Sequence, residues 1–375
     1  MSDGFKDKVC IVGVGHTAYG VFPGKTSYEL GAEAFKAALD DSGLMKDQID
    51  GLIVSRIPHY ARMATVLGLK NVHVINVTPG EGRQSGACVQ YAAGIIASGR
   101  AEVVALVYGN DGKSAGAKYG GGEAVGTQSY DYPYGFTSPG AAVGLMFRRH
   151  MHLYGTTPEQ LGAVAINNRK NAILTPWAVM KKPLTIEDYM KGRWVAEPLR
   201  LFDYCLINDG GVAVILTSAE RARDMKKPPV YISATATATD MSNYYMSKDL
   251  YYSALQDIAK RLYPAAGISH KDVQCAQIYD NFTPTVLFTL EGLGFCPRGE
   301  SGPWIQDGRI ELGGELPLNT SGSHTSESYM QGWALLVEAV RQLRGECGPR
   351  QVKDCRVVQW AIASPICTSH ILTRR

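Results

Sequence analysis

"YYSALQDIAKRLYPAAGISHKDVQCAQIYD" (251–280) decides the fold. Its apolar residues recur at helical spacing up to Gly267, a good closing position for a helix. A short apolar run, "VQCAQIYD", then reads as a buried strand. The same order stands 224 residues earlier, where Gly43-Leu44 matches Gly267-Ile268. There "SYELGAEAFKAALDDSG" (27–43) is the helix and "QIDGLIVS" (48–55) the strand. Few identities survive at that offset, so the order and spacing of elements carry the signal. An internal duplication of an α/β unit is the economical reading.

Outward from the two joints the alternation continues. "KVCIVGVG" (8–15) is a strand; "CVQYAAGIIASGRAEVVALVYG" (88–109) is a helix closed by Gly99 and then a strand. In the second half "PPVYISATATA" (228–238) is a strand, "SYMQGWALLVEAVRQLRG" (328–345) a helix and "CRVVQWAIAS" (355–364) a strand. This predicts a layered α/β fold with mostly parallel strands. It divides the chain into halves at 1–228 and 229–375, the first interrupted by an insertion at about 110–205. The duplication brings two helix N-termini, near 83–88 and 326–330, face to face across a pseudo-twofold axis. Within the insertion, "KYGGGEAVGTQSYDYPYGFTSPG" (118–140) reads as a lid, a substrate loop or an oligomer contact. "SPGAAVGLMFRRHMHLYG" and "TPEQLGAVAINNRKNAI" follow it as helices.

Bulk properties exclude several classes. The 375 residues are 45% hydrophobic and 19% charged with a net charge of +3, which suits a globular protein with a large core. No basic run recommends nucleic acid or an anionic membrane. Eight cysteines (10, 88, 205, 275, 296, 347, 355 and 367) lack C-x-x-C spacing, against a zinc ribbon or a disulfide scaffold. The N-terminus lacks a signal-peptide core, and no apolar run reaches the roughly 20 residues of a spanning helix. The cytoplasm is therefore the expected compartment. "GVGHTAYG" lacks the full GxGxxG pattern, so a dinucleotide is not expected, and no P-loop is present.

Three further stretches carry a resemblance: "PLRLFDYCLINDGGVAVILTSAERARD" (198–224), "QIYDNFTPTVLFTLEGLGFC" (277–296) and "GGELPLNTSGSHTSESYMQGWALLVEAVRQLRG" (313–345). Together they resemble the thiolase superfamily, in its lipid-transfer-protein branch, over nearly the whole chain. The match looks best to the steroid side-chain aldolases and to the thiolase subunit of benzoylsuccinyl-CoA thiolase. The resemblance implies duplicated halves in a five-layer α-β-α-β-α arrangement and a homodimer. It also implies coenzyme A as a substrate, no other cofactor on this chain, and a small partner subunit with a zinc finger and an OB-like domain.

In ordinary thiolases of this fold a cysteine at the first-half helix N-terminus is the nucleophile, and two histidines assist it. This chain departs at each place. Tyr279, in Tyr279-Asp280-Asn281-Phe282, replaces the first histidine. Tyr329, ten residues after Asn319, replaces the second. No cysteine stands near Gly82 or Arg83; the nearest is Cys88, about one turn on. The C-terminal loop "AIASPICTSHIL" offers Cys367, shifted from the usual place.

A phenol with a pKa near ~10 donates hydrogen bonds well and takes up a proton only when its anion is stabilised. Two facing tyrosines suit retro-aldol chemistry. Thiolysis instead needs a thiolate, for which Cys88 and Cys367 are candidates, with His324 as base or orienter. Each of these three has a bland reading as well: a buried thiol or a solvated loop histidine. Asn319 is a candidate oxyanion or water orienter, Asp280 a brace for the Tyr279 strand end, and Asp209 a turn organiser. His59, His150 and His152 match no motif and read as core or surface residues; "RRHMH" (148–152) reads as a solvated helix face. The leading expectation is thiolysis of a 3-oxoacyl-CoA such as benzoylsuccinyl-CoA. Retro-aldol cleavage of a 3-hydroxyacyl-CoA is the rival, and a catalytically silent acyl-CoA or lipid carrier the third reading.

Overall fold

The computed structural model describes residues 6–78, 84–117, 132–136, 138–240 and 246–375. The duplicated unit is present with the spacing the sequence predicts. Helix α1 (Ser27–Ser42) starts on a capping box: Thr26 Oγ1 accepts from Glu29 N–H, and the Glu29 carboxylate accepts from Thr26 N–H. It closes on Gly43 at φ 77°, where an L side chain would be strained. Strand β1 (Val9–His16) precedes it, and β2 (Gly51–Ser55) follows. At the 224-residue offset, a helix over Tyr252–Ala266 closes on Gly267 at φ 73° and leads to a strand starting at Cys275.

The remaining elements fill in around this pair. After β2 come α2 (Tyr60–Leu67), β3 (Val74–Thr78), α3 (Gln84–Ala97) and β4 (Val103–Asn110). The insertion holds α4 (Pro139–Tyr154), α5 (Pro158–Ile173), α6 (Ile186–Lys191) and a small hairpin of β5 (Trp194–Ala196) and β6 (Leu199–Arg200). Strand β7 (Gly210–Ser218) and the short α7 (Ala219–Ala222) end the first half. The second half runs β8 (Val230–Thr239), α8 (Tyr252–Ala266), β9 (Cys275–Ile278), α9 (Pro284–Gly292), α10 (Ser301–Trp304), α11 (Trp333–Arg344), β10 (Val357–Ile362) and β11 (Ile366–Thr373).

The strands pair in the order β3-β2-β4-β7-β1-β8-β11-β10-β9. Among the described strands of this sheet, β2–β3, β2–β4 and β9–β10 pair in parallel and the other five pairs are antiparallel, so the expectation of a mostly parallel sheet is corrected. The link from β10 to β11 spans only residues 363–365, too short for the crossover a parallel neighbour needs. The halves mirror one another about a narrow seam, where β1 meets β8 through Cys10↔Tyr231 and Ile11↔Val230. Even β3 has a counterpart: Leu318 bridges Ala276 in parallel beside β9.

Alternation along each strand builds five layers. Leu52 and Val54 face α1 with Val12, Val107 and Ile215, while Ile53 faces the middle. That middle layer packs α3 (Val89, Ala92, Ile96) and α11 (Trp333, Leu336, Val340) between both halves of the sheet. On the far side, Leu255, Ile258 and Leu262 of α8 cover Ala234, Ala236, Ile278 and Ile371. The insertion belongs spatially to the second half: Val143, Met146, Phe147, Leu161 and Val164 of α4 and α5 join the same cluster as α8 and α9. Buried His150 of α4 bonds Glu291 of α9 at 2.8 Å.

The helix α1 lies close on the sheet because glycines line its track. A Cβ on Gly211 or Gly109 would collide with the carbonyl oxygen of Leu30 or Ser27. Gly211→Ala should therefore destabilise the protein by about 1–3 kcal/mol, measurable as a lowered midpoint of chemical denaturation.

Candidate active site

The two helix N-termini of the middle layer meet where the pseudo-twofold axis predicts. A Cβ on Gly332, just ahead of α11, would lie 2.5 Å from Ser85 Oγ in the first turn of α3 and 3.5 Å from the Tyr279 ring. The usual cysteine position, near Gly82 and Arg83, lies outside the described residues, as does most of the glycine- and tyrosine-rich part of the insertion. Helix α11 starts later than the sequence suggests, at Trp333; residues Ser323–Glu327 form a separate wide π-type turn instead. The backbone from 319 to 332 is sharply bent. Asn319, Ser323 and Gln331 have φ of 51°, 53° and 50°, alongside Gly322 at 106° and Gly332 at 92°. Each non-glycine residue in that region costs on the order of 1–3 kcal/mol, strain that gathers at functional sites.

Tyr279 and Tyr329 are brought together, with their hydroxyls 3.0 Å apart. Tyr279, at the end of β9, is 2% exposed, whereas Tyr329 is only half-buried. Asn208 Oδ1 accepts the Tyr329 N–H at 2.8 Å and so fixes its backbone. The buried ring of His324 stands edge-on to both phenols, with centroids at 4.6 Å from Tyr279 and 5.3 Å from Tyr329.

The alternative reading of His324 as a solvated loop histidine is thus excluded: the ring is wholly buried. Its tautomer follows from its partners. Gly332 N–H donates to Nε2 at 2.9 Å, so Nδ1 carries the proton and donates to Asp280 Oδ1 at 2.8 Å. The Asp280 N–H, 3.4 Å from Nδ1, is the weaker contact. Both nitrogens of a neutral imidazole are then committed, which leaves His324 no lone pair for substrate. The ring thus stands between Asp280 and the Gly332 amide, against both phenols.

Asp280 anchors this arrangement from a fully buried position. Its carboxylate accepts from Ser323 Oγ, His324 N (3.0 Å), Asn168 Nδ2 (2.7 Å) and Thr325 Oγ1 (3.2 Å), besides His324 Nδ1. The floor beneath is the polar face of α5. Asn167 and Asn171 donate to the Leu318 carbonyl at 3.1 Å each, and Arg169 Nε donates to Ser326 Oγ at 3.0 Å. These α5 residues, Asn208 and Ser85 escaped the sequence reading. The available signal was "INNRKN", a run of amides and a cation on an otherwise apolar helix.

Asn319 is buried behind the same turn, with Oδ1 accepting from Ile278 N–H at 2.7 Å. Its Nδ2 has no protein partner among the described residues, a condition that suits a bound water or substrate oxygen. Asp209 organises a turn as expected, accepting from the backbone of Phe22, Lys113 and Ser114.

The cysteines are a different matter. Cys88 lies within α3 in the middle core and donates to Thr78 Oγ1 at 3.3 Å. Burial pushes its thiol up to about 11. Cys367 lies on β11 in the outer core with Sγ 3.0 Å from the Ser364 carbonyl, and burial pushes it up to about 12. Neither thiol has the electropositive, accessible surroundings that make a nucleophile.

With fold and site in view, comparison with known proteins defines the class. The family described as thiolase C-terminal domain-like matches residues 236–370. The chain is similar to the 17-hydroxy-3-oxo-4-pregnene-20-carboxyl-CoA lyase of Mycobacterium tuberculosis, 38% identical over 90% of this chain and 92% of that one. It is similar to the steroid side-chain-cleaving aldolase of Thermomonospora curvata, 38% identical over 89% of this chain and 90% of that one. Among solved structures, the Ltp2-ChsH2(DUF35) aldolase superposes with a TM-score of 0.91 at 34% identity, covering 99% of this chain and 98% of that one. The chain belongs to the thiolase superfamily, in the lipid-transfer-protein branch that includes these aldolases. It is an enzyme of that branch. Among the described residues no helix is long and apolar enough to cross a membrane.

The buried thiols make a direct prediction. In native protein at pH 8, iodoacetamide should leave Cys88 and Cys367 unmodified, since roughly one in a thousand such thiols or fewer is ionised. After denaturation both should react, as peptide mass mapping would show.

Proposed function

We propose that this protein cleaves the α–β carbon bond of a 3-hydroxyacyl-CoA by a retro-aldol reaction. The phenol pair carries the reading: two hydroxyls 3.0 Å apart, aligned by a histidine that has no free nitrogen. One phenol donates to the other, so the acceptor's anion is stabilised when it forms. That phenolate takes the proton of the 3-hydroxyl. The oxygen's electrons form a carbonyl, the α–β bond breaks, and its electron pair moves to the thioester as an enolate. The phenol pair and the unpartnered Asn319 Nδ2 are the donors available to such an oxyanion. The proton then returns to the α-carbon, releasing a ketone or aldehyde and a shortened acyl-CoA. No covalent intermediate is needed.

Similarity supports the same chemistry and suggests a steroid side-chain ester as substrate, since the 38%-identical relatives are a carboxyl-CoA lyase and a side-chain-cleaving aldolase. Thiolysis of a 3-oxoacyl-CoA such as benzoylsuccinyl-CoA, the leading expectation from the sequence, has less behind it. It needs a thiolate, and Cys88 and Cys367 are buried as protonated thiols. A small partner subunit, with or without zinc, remains part of the proposal, supported by the second component in the name of the similar Ltp2-ChsH2(DUF35) structure. So does a homodimer: edge strand β3 leaves Ile75 and Val77 exposed with no charged residue among its five.

The test uses the chain co-purified with any partner, given 3-hydroxy- and 3-oxoacyl-CoA esters with and without free CoA. The hydroxy ester should be split without CoA and without any acyl adduct on the protein. Tyr279→Phe and Tyr329→Phe should each lower kcat by about 100-fold or more, with melting temperature little changed. Full activity in either variant, or cleavage that requires CoA, would defeat the proposal. Binding without turnover would point to the silent carrier.

A further inference from the structure

Two residues before Tyr329 stands Glu327, a side chain to which the reaction above gives no part. It is 2% exposed. Its Oε1 accepts from Trp177 Nε1 at 2.7 Å and its Oε2 from Ser321 Oγ at 2.5 Å. Its backbone carbonyl accepts from Val179 N–H at 2.9 Å, and that of Ser326 from Met180 N–H at 3.0 Å. Trp177 is itself clamped. Arg341 and Arg350 lie over its ring, at 4.7 and 5.2 Å, and His16 packs against it at 4.8 Å. The carboxyl therefore ties the insertion, α11 and the end of β1 to the turn that presents Tyr329.

The charges around Glu327 are committed elsewhere. Arg350 pairs with Glu338 at 3.0 Å, and Arg341 bonds His16 Nε2 at 2.9 Å. Lys181, Tyr19 and Glu338 also act on it or are acted on by it through space. Both groups that donate to the carboxyl are neutral, so no bonded cation offsets its burial. Burial, helped by the nearby Glu338, raises it to about 7 against the pull of Ser321, Trp177 and Arg350.

We propose that Glu327 is a positioning residue for Tyr329, clamping its turn through Trp177 and Ser321 and, once ionised, setting a buried negative charge two residues along the chain from Tyr329. The two Cα atoms can be no more than about 7 Å apart along the chain. This rests on the carbon–carbon cleavage proposed above. A neighbouring anion disfavours a phenolate, so ionisation of Glu327 works against the base form of the tyrosines. The effect on stability has its own sign. The carboxyl is harder to ionise folded than unfolded. Its contribution is greatest below the ordinary carboxylate range and is lost as pH rises through about 7.

The experiment compares wild type, Glu327→Gln and Glu327→Ala on a 3-hydroxyacyl-CoA from pH 5.5 to 9. Alanine should cost about tenfold or more in kcat, with KM nearly unchanged, and glutamine should restore most of it. The ratio of Glu327→Gln to wild-type kcat should rise roughly threefold from pH 6 to 8.5, because only the wild type gains the charge. A flat or falling ratio, or an alanine variant as fast as wild type, overturns the proposal. If the glutamine variant does not fold, Trp177→Phe removes one donor and should move the wild-type inflection to higher pH; an unmoved inflection also overturns it. Melting separates this inference from the reading beneath it. The wild type's melting temperature relative to Glu327→Gln should fall from pH 5 to 8 whether or not any ester is cleaved. That fall in a protein inert to every ester would support the Glu327 clamp and refute the cleavage reading; its absence in an active enzyme would do the reverse.

Discussion

A carboxylate taken out of water has to be surrounded by donors, and Asp280 is wholly buried. Five groups answer that demand, four of them on the segment from Ser323 to Thr325 and one on α5. To deliver them the chain makes the wide turn and accepts left-handed backbone at Asn319 and Ser323. Once the turn is set, His324 can only lie between Asp280 and the Gly332 amide, and its ring fixes where the two phenols stand. The placement of the two phenols thus follows from satisfying one buried carboxyl group.

The duplication supplies the frame. Each half ends a strand and begins a helix at the middle layer, so two helix N-termini converge where Gly332 meets Ser85. A site at such a junction draws on both halves, with Asn208 and Ser85 of the first against Tyr329 and Gly332 of the second. Where the resemblance places the two histidines of ordinary thiolases, this chain sets Tyr279 and Tyr329 with their hydroxyls 3.0 Å apart. In the proposed reaction, a weak acid that hydrogen-bonds another weak acid takes over from a base that activates a thiol.

Much of this was legible in the sequence where local physics decides. Glycines at 43 and 267 close amphipathic helices, and the distance between them measures the repeat. The tyrosine pair was legible through the thiolase resemblance, whose motifs carry histidines at both positions. What failed was long-range. Strand polarity depends on how β7 and β11 return, which periodicity does not encode. The loop around His324 is full of hydroxyls and reads as solvated, although those hydroxyls face a buried carboxylate. Cys88 looked close to a catalytic position by count. One further helical turn instead set it in the middle core, beside Val89 and Ala92. The role of α5 as a floor was hidden for the same reason, since its partners lie about 110–160 positions further along.

That last separation bears on how the protein is made. The helices α4 and α5 are synthesised with the first half but find their partners in α8, α9 and the 318–326 segment. At roughly 5–20 residues per second, a growing chain carries their apolar and amide-rich faces uncovered for several seconds. The first sheet can assemble around α1 meanwhile, since β1, β2, β4 and β7 are all in place by residue 218. The nascent chain therefore passes through a stage with one finished half and an unsheltered arm. The segments that shelter it, α8, α9 and 318–326, leave the ribosome only afterwards, and the two phenols are brought together in that same later stage.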